Sequence, residues 1–117
     1  MRRAPSCIPL KATALAATLL ALAAPACAED TLDMSISIKD HKFEPETLKV
    51  PVGKAIKLTV NNLDTTAEEF ESYPLGFEKV VDGKQSAVVR IKPLEAGAYI
   101  FFGEYHSDTA HGTVVAE

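Results

Sequence analysis

The sequence predicts an all-β fold, a Greek-key sandwich of seven to eight short strands. Three observations carry this expectation. Apolar residues recur at every second position in short runs, which is the period of a half-buried strand. Turn-forming clusters of Gly, Pro, Asn and Asp separate these runs at the spacing of a sandwich. Beyond the N-terminal leader no segment shows a convincing helical period, so packed sheets are the natural architecture.

The elements follow in order. Arg2 and Arg3 precede an apolar run from Leu10 to Ala24, and Ala26-Cys27-Ala28 fits a small-x-small cleavage site. Residues 1–28 are therefore expected to be a signal peptide and residues 29–117 the mature domain; Cys27 as a lipid-attachment cysteine is the alternative. Leu32, Met34, Ile36 and Ile38 alternate as a first strand, and Asp40-His41-Lys42 reads as a turn. Phe43 is a core candidate. Leu48 and Val50 mark a second strand that ends at Pro51, and Val52-Gly53-Lys54 is a turn before Ile56, Leu58 and Val60. Asn61-Asn62-Leu63-Asp64 has the composition of a loop. In Glu68 to Ser72, Phe70 faces inward while Glu69 and Glu71 share the opposite face. Residues 73–77 read as loop, 78–81 as a short strand, and Asp82-Gly83 as a hairpin turn. Ala87, Val89 and Ile91 alternate in a further strand. Tyr99 and Phe101 lie on one face of the next, which breaks at Gly103, and Thr113-Val114-Val115 is the last.

Composition narrows the function. Both cysteines, Cys7 and Cys27, lie in the leader, so the mature domain has no disulfide and no thiolate ligand. Residues 29–117 hold 16 acidic and 9 basic residues, a net charge of −7. That surface argues against nucleic acid or an anionic membrane as partner and suits a cation or a basic protein. The mature chain is not expected to insert into a membrane. No Ser/His/Asp pattern stands in a strand–turn–helix context and no cysteine nucleophile remains, which argues against a hydrolase.

The chemistry concentrates in Ala98–Thr113. Glu104, His106, Asp108 and His111 lie within eight residues between two strands. Imidazole with carboxylate suits first-row transition metals, so these four are candidate metal ligands; Asp108 could instead orient an imidazole. Glu69 and Glu71 are further candidates, expected from the opposite sheet at the same pole. Several carboxylates there would repel one another unless a cation joined them. A sulfur-free set of this kind favours the higher oxidation state of iron or copper and lowers the reduction potential. His41, beside Lys42, reads as a turn residue.

The residues also carry a family resemblance. Tyr99-Ile100-Phe101 and Gly112-Thr113-Val114-Val115 resemble the final strands of cupredoxins, with His106 at the loop histidine and Gly103 where blue-copper proteins carry cysteine. Phe43-Glu44-Pro45, the stretch Leu48 to Gly53 and Asn61-Asn62 resemble the family's early segments, and Glu68 or Glu69 falls near its upstream histidine. Ala67 to Glu71 and Gly103 to His106 are similar to the EfeO-type cupredoxin-like domain of periplasmic iron-uptake systems. That resemblance implies a periplasmic protein that binds iron, copper or both and oxidises Fe(II) or delivers iron. Its expected partner is an inner-membrane iron permease or a companion periplasmic iron-binding protein. The alternatives are a Cu(II) carrier of copper resistance and a metal-free protein-interaction module.

Overall fold

The computed structural model describes residues 31–117; the expected signal peptide and the question of Cys27 lie outside the described residues. Among the described residues nine strands form two sheets: β1 (Thr31–Lys39), β2 (Lys42–Glu44), β3 (Thr47–Val50), β4 (Ala55–Asn62), β5 (Glu68–Ser72), β6 (Phe77–Val81), β7 (Ser86–Ile91), β8 (Gly97–Gly103) and β9 (His111–Ala116). A single 3₁₀ turn, Glu104–His106, joins the last two among the described residues. The sheets run β2-β1-β4-β7 and β3-β9-β8-β5-β6. The predicted sandwich is what the chain forms, with one strand more than expected because Lys42–Glu44 pairs on its own with the end of β1.

The period-two runs face each other across the interior. Ile36, Ile38, Ile56, Leu58 and Val60 line one sheet, and Leu48, Phe70, Phe101 and Val114 the other. At one end the core becomes aromatic. Phe70 packs against Phe43, Phe77 and Phe101 at ring-centroid separations of 5.2, 5.0 and 5.2 Å, and Phe43 meets Phe101 edge-on at 5.0 Å. Tilted and edge-on pairs of this kind add to the area they bury. They also join the sheets directly beneath the loop that carries the candidate ligands.

Three local expectations need correction. Asn61 and Asn62 finish β4 instead of opening a loop. Buried Asn62 is retained because its side chain donates to the carbonyls of Thr66 and Val81, at 2.8 and 3.0 Å. Asp82-Gly83 does turn the chain, but β6 and β7 lie in different sheets, so it is a corner and not a hairpin. Finally, β5 is not in the sheet opposite the last loop: it pairs with β8, Phe70 against Gly103 and Glu71 against Phe102. Glu69 and Glu71 therefore stand on the same sheet as the strands flanking that loop.

The aromatic end of the core should dominate stability. Phe101→Ala is expected to cost about 3–5 kcal/mol in urea unfolding, as for other buried phenylalanines. Ile100→Ala, one residue away and 59 % exposed, is expected to stay within about 0.5 kcal/mol.

Candidate metal site

The alternation of β5 separates two kinds of glutamate. Glu68, Phe70 and Ser72 are buried, whereas Glu69 and Glu71 point outward. Glu68 is 1 % exposed. Its Oε1 accepts the backbone N–H of Glu69 at 3.0 Å and of Tyr105 at 2.9 Å, and its Oε2 lies 2.6 Å from Nδ1 of His106. With Glu68 ionised its oxygens only accept, and Nδ1 of the imidazole is then the donor. Gly103 makes this possible. A Cβ there would come within 2.5 Å of the Glu68 Cδ.

The second imidazole at this pole is His41, in the two-residue turn between β1 and β2. Asp40 and His41 both take positive φ, 54° and 59°, as a tight hairpin of this hand requires. The Asp64 carboxylate steadies them by accepting both backbone N–H groups, at 2.8 and 2.9 Å. Desolvation pushes the Asp64 carboxyl up, but these two hydrogen bonds and the nearby His41 and His106 rings hold it below its ordinary value. Thr109 Oγ1 donates to the His41 carbonyl at 2.8 Å. The His41 ring thus stacks on His106, with centroids 3.6 Å apart and planes at 15°. Stacked rings send their lone pairs along parallel planes, so in this arrangement the pair does not converge on one ion.

The outward glutamates do converge. Glu71 stands directly opposite Glu78 of β6, and Glu69 is next on the same face. One carboxylate oxygen from each of Glu69, Glu71 and Glu78 lies within 4.8 Å of the others. This is the one such group of three or more His, Cys, Asp or Glu side chains found among the described residues. Desolvation, then the charge of Glu78, pushes the Glu69 and Glu71 carboxyls above their ordinary value; Glu104 acts on both in the same sense. Like charges placed opposite one another across a strand pair destabilise a sheet.

The six ligands expected from sequence therefore separate into three groups. Glu69 and Glu71 meet, with Glu104 close enough to act on both. His106 turns inward to Glu68. Asp108 and His111 line an open cleft of about 390 Å³ with Glu44 and Glu46, where His111 Nδ1 is 3.8 Å from Glu46. Sequence reasoning missed Glu78 and the stacking of His41. The signal for Glu78 was the short connection Tyr73–Gly76: counting outward from it pairs Ser72 with Phe77 and Glu71 with Glu78.

Residues 11–116 match the family described as the cupredoxin-like domain. The chain belongs to that family. This cupredoxin-like domain is 42% identical over 87 residues to RP394 of Rickettsia prowazekii (strain Madrid E), itself described as uncharacterized, covering 74% of this chain and 70% of that one. Its fold is shared with auracyanin A, a "blue" copper protein of Chloroflexus aurantiacus, at TM-score 0.64 and 12% identity over 74% of this chain and 99% of that one. It is also shared with a chain of a heme-copper terminal oxidase dimer at TM-score 0.61 and 14% identity, over 71% of this chain but only 63% of that longer one.

A blue-copper centre, with one thiolate and two imidazoles, does not fit the residues of this cupredoxin-like domain. No cysteine occurs after Cys27, and at Gly103, where the resemblance places it, the space a side chain would need is taken by the Glu68 carboxylate. Nδ1 of His106 is committed to that carboxylate as well.

The outer carboxylates give a signed pH expectation. A carboxyl whose folded pKa is raised binds its proton more readily folded than unfolded, so it costs stability above that pKa and the cost vanishes as pH falls through it. In metal-free protein, Glu78→Gln should raise the melting temperature at about pH 7.5, and the gain should shrink as pH is lowered towards about 4.5. Thermal melts of the two proteins across that range check this.

Proposed function

We propose that this cupredoxin-like domain is an exported, periplasmic iron-binding protein that serves iron uptake. It takes iron on the Glu69–Glu71–Glu78 face and passes it to an inner-membrane permease or a companion periplasmic iron-binding protein. The observation that carries the reading is the convergence of three outward carboxylates on one rigid sheet face. Carboxylate oxygen is a hard donor and suits hard cations. Such a set binds Fe(III) more tightly than Fe(II), lowers the potential of the couple, and favours oxidation when an external acceptor such as dioxygen takes the electron. The resemblance to EfeO-type domains around Glu68–Glu71 and Gly103–His106 supports iron over other hard cations.

Copper is the second reading, supported by the fold shared with a blue copper protein and by the two imidazoles at the pole. Cu(II) would have to unstack His41 from His106, since the rings as they stand do not converge on one ion.

Titration with Mn(II), with Fe(II) under anaerobic conditions, and with Cu(II) separates the readings. Glu69→Gln, Glu71→Gln and Glu78→Gln together should weaken Mn(II) and Fe(II) binding by more than about 100-fold, beyond the usual loss for a mere supporting residue. His41→Ala with His106→Ala should leave Mn(II) binding in place. On admission of air, Fe(II) loss should be faster with the wild type than with the triple variant. Tight Cu(II) binding that survives the triple variant and disappears with the histidine pair would favour the copper reading instead.

A further inference from the structure

We propose that the open edge of β7 and the cleft beside it receive an extended segment of a partner protein, one that alternates acidic with apolar side chains. The proposal is independent of where the metal binds.

Three observations meet there. First, β7 ends its sheet: it pairs with β4 on one side and with no strand on the other. Such an edge is a template for an added strand. It contains no proline, so each of its residues keeps an N–H. Second, a cleft of about 450 Å³ lies beside the far end of β7, bounded on the other side by residues 73–77. Leu75, Phe77 and Leu94 line it, partly buried and packed against the core. Phe77 begins β6 in one sheet and Ile91 ends β7 in the other, so the cleft is an apolar seam between the sheets.

Charge is the third observation. Among the described residues Arg90 and Lys92 also line the cleft, and no carboxylate does. On the outer surface of the four-stranded sheet Arg90 stands directly opposite Lys57 of β4. Like charges so placed destabilise a strand pair. Asp33 is the register neighbour of Lys57 on the other side, on β1. Among the described residues no carboxylate comes within ion-pair distance of Lys57, Arg90 or Lys92. Residues 29–117 carry 16 acidic and 9 basic residues, yet these three cations stand together without an anion.

Strand geometry joins the three into one specification. Successive side chains of a strand face opposite ways. A segment laid along β7 sends one set inward, beside Ile91 and over Leu75 and Phe77, and the other outward, beside Arg90. Apolar side chains suit the first set and carboxylates the second. A second copy pairing β7 with β7 would bring its own Arg90 to the patch, and like charge opposes that occupant. An anionic bilayer would bring like charge against most of the acidic surface.

The experiment titrates a short capped peptide of alternating glutamate and leucine into isotope-labelled protein, followed by amide chemical shifts and amide exchange. Saturable binding is expected, with shifts along β7 and in residues 75–77. Exchange should slow at alternate β7 amides, as pairing with an added strand requires. Arg90→Gln with Lys92→Gln should weaken binding at least about 10-fold. Both side chains are exposed, so the variant should melt with the wild type. Arg90→Glu with Lys92→Glu should reverse the preference towards a peptide with lysine in place of glutamate. A peptide with serine in place of leucine should lose at least about 10-fold against the wild type. No saturable binding, equal binding of the glutamate and lysine peptides by the wild type, or shifts centred away from β7 would each overturn the proposal. Dimerisation through β7 without peptide would assign the surface to a second copy and overturn it too. So would phosphatidylglycerol vesicles that bind through Arg90 and Lys92 in place of the peptide.

Discussion

A carboxyl group buried in a sandwich must find donors for its oxygens, because an unsatisfied one costs several kcal/mol, roughly, and more when ionised. Glu68 finds three, and the pole of the molecule is arranged around them. The Glu69 N–H comes from its own strand, the Tyr105 N–H from the turn after β8, and the His106 Nδ1–H from the end of that turn. Gly103 is required at the one position where a side chain would occupy the carboxylate's place. His106 is held so that His41 can stack on it, and the tight β1–β2 turn, steadied by Asp64, delivers His41 to that place. Beneath these groups Phe70, Phe43 and Phe101 close the core. The family's fold is kept, and the space a side chain at Gly103 would need is filled by the Glu68 carboxylate and its hydrogen bonds.

The same strand that buries Glu68 presents Glu69 and Glu71 to solvent, because successive strand residues face opposite ways. The register with β6 then sets Glu78 against Glu71. Without a cation, desolvation and then the charge of Glu78 hold the Glu69 and Glu71 carboxyls above their ordinary value. A cation would replace that repulsion with attraction at three or more oxygens. A rigid sheet holds ligands more firmly than a loop does. The inner glutamate supplies order and the outer ones supply charge, so one five-residue strand serves both the fold and the proposed site.

Much of this was legible in the sequence. The alternating runs around Ile36, Ile56 and Val89 gave their strands because a period of two has one physical meaning when one face is buried. The opposite facing of Phe70 and Glu69 was readable for the same reason. What failed was information held between strands. Asp82-Gly83 has hairpin chemistry, yet the chain uses it to cross between sheets; local turn preference does not say which neighbour a strand will choose. The sheet membership of β5 and the pairing of Glu71 with Glu78 are likewise matters of long-range register. The expected ligand cluster in residues 104–111 assumed that closeness in sequence means convergence in space. The turn instead sends His106 inward to Glu68, while His111 begins a strand and looks into a separate cleft. His41 read as an ordinary turn residue because nothing local marks a stacking partner 65 positions away.

In the proposed function a carboxylate face, and not the imidazole pole, holds the metal. The most direct test is a crystal of the protein grown with Mn(II), with anomalous scattering measured to locate the ion. The expected result is a single strong anomalous peak bonded to oxygens of Glu69, Glu71 and Glu78 at roughly 2.0–2.6 Å, the span for hard cations on carboxylates. A peak at His106 or in the His111 cleft, with the three outer glutamates unliganded, would contradict it.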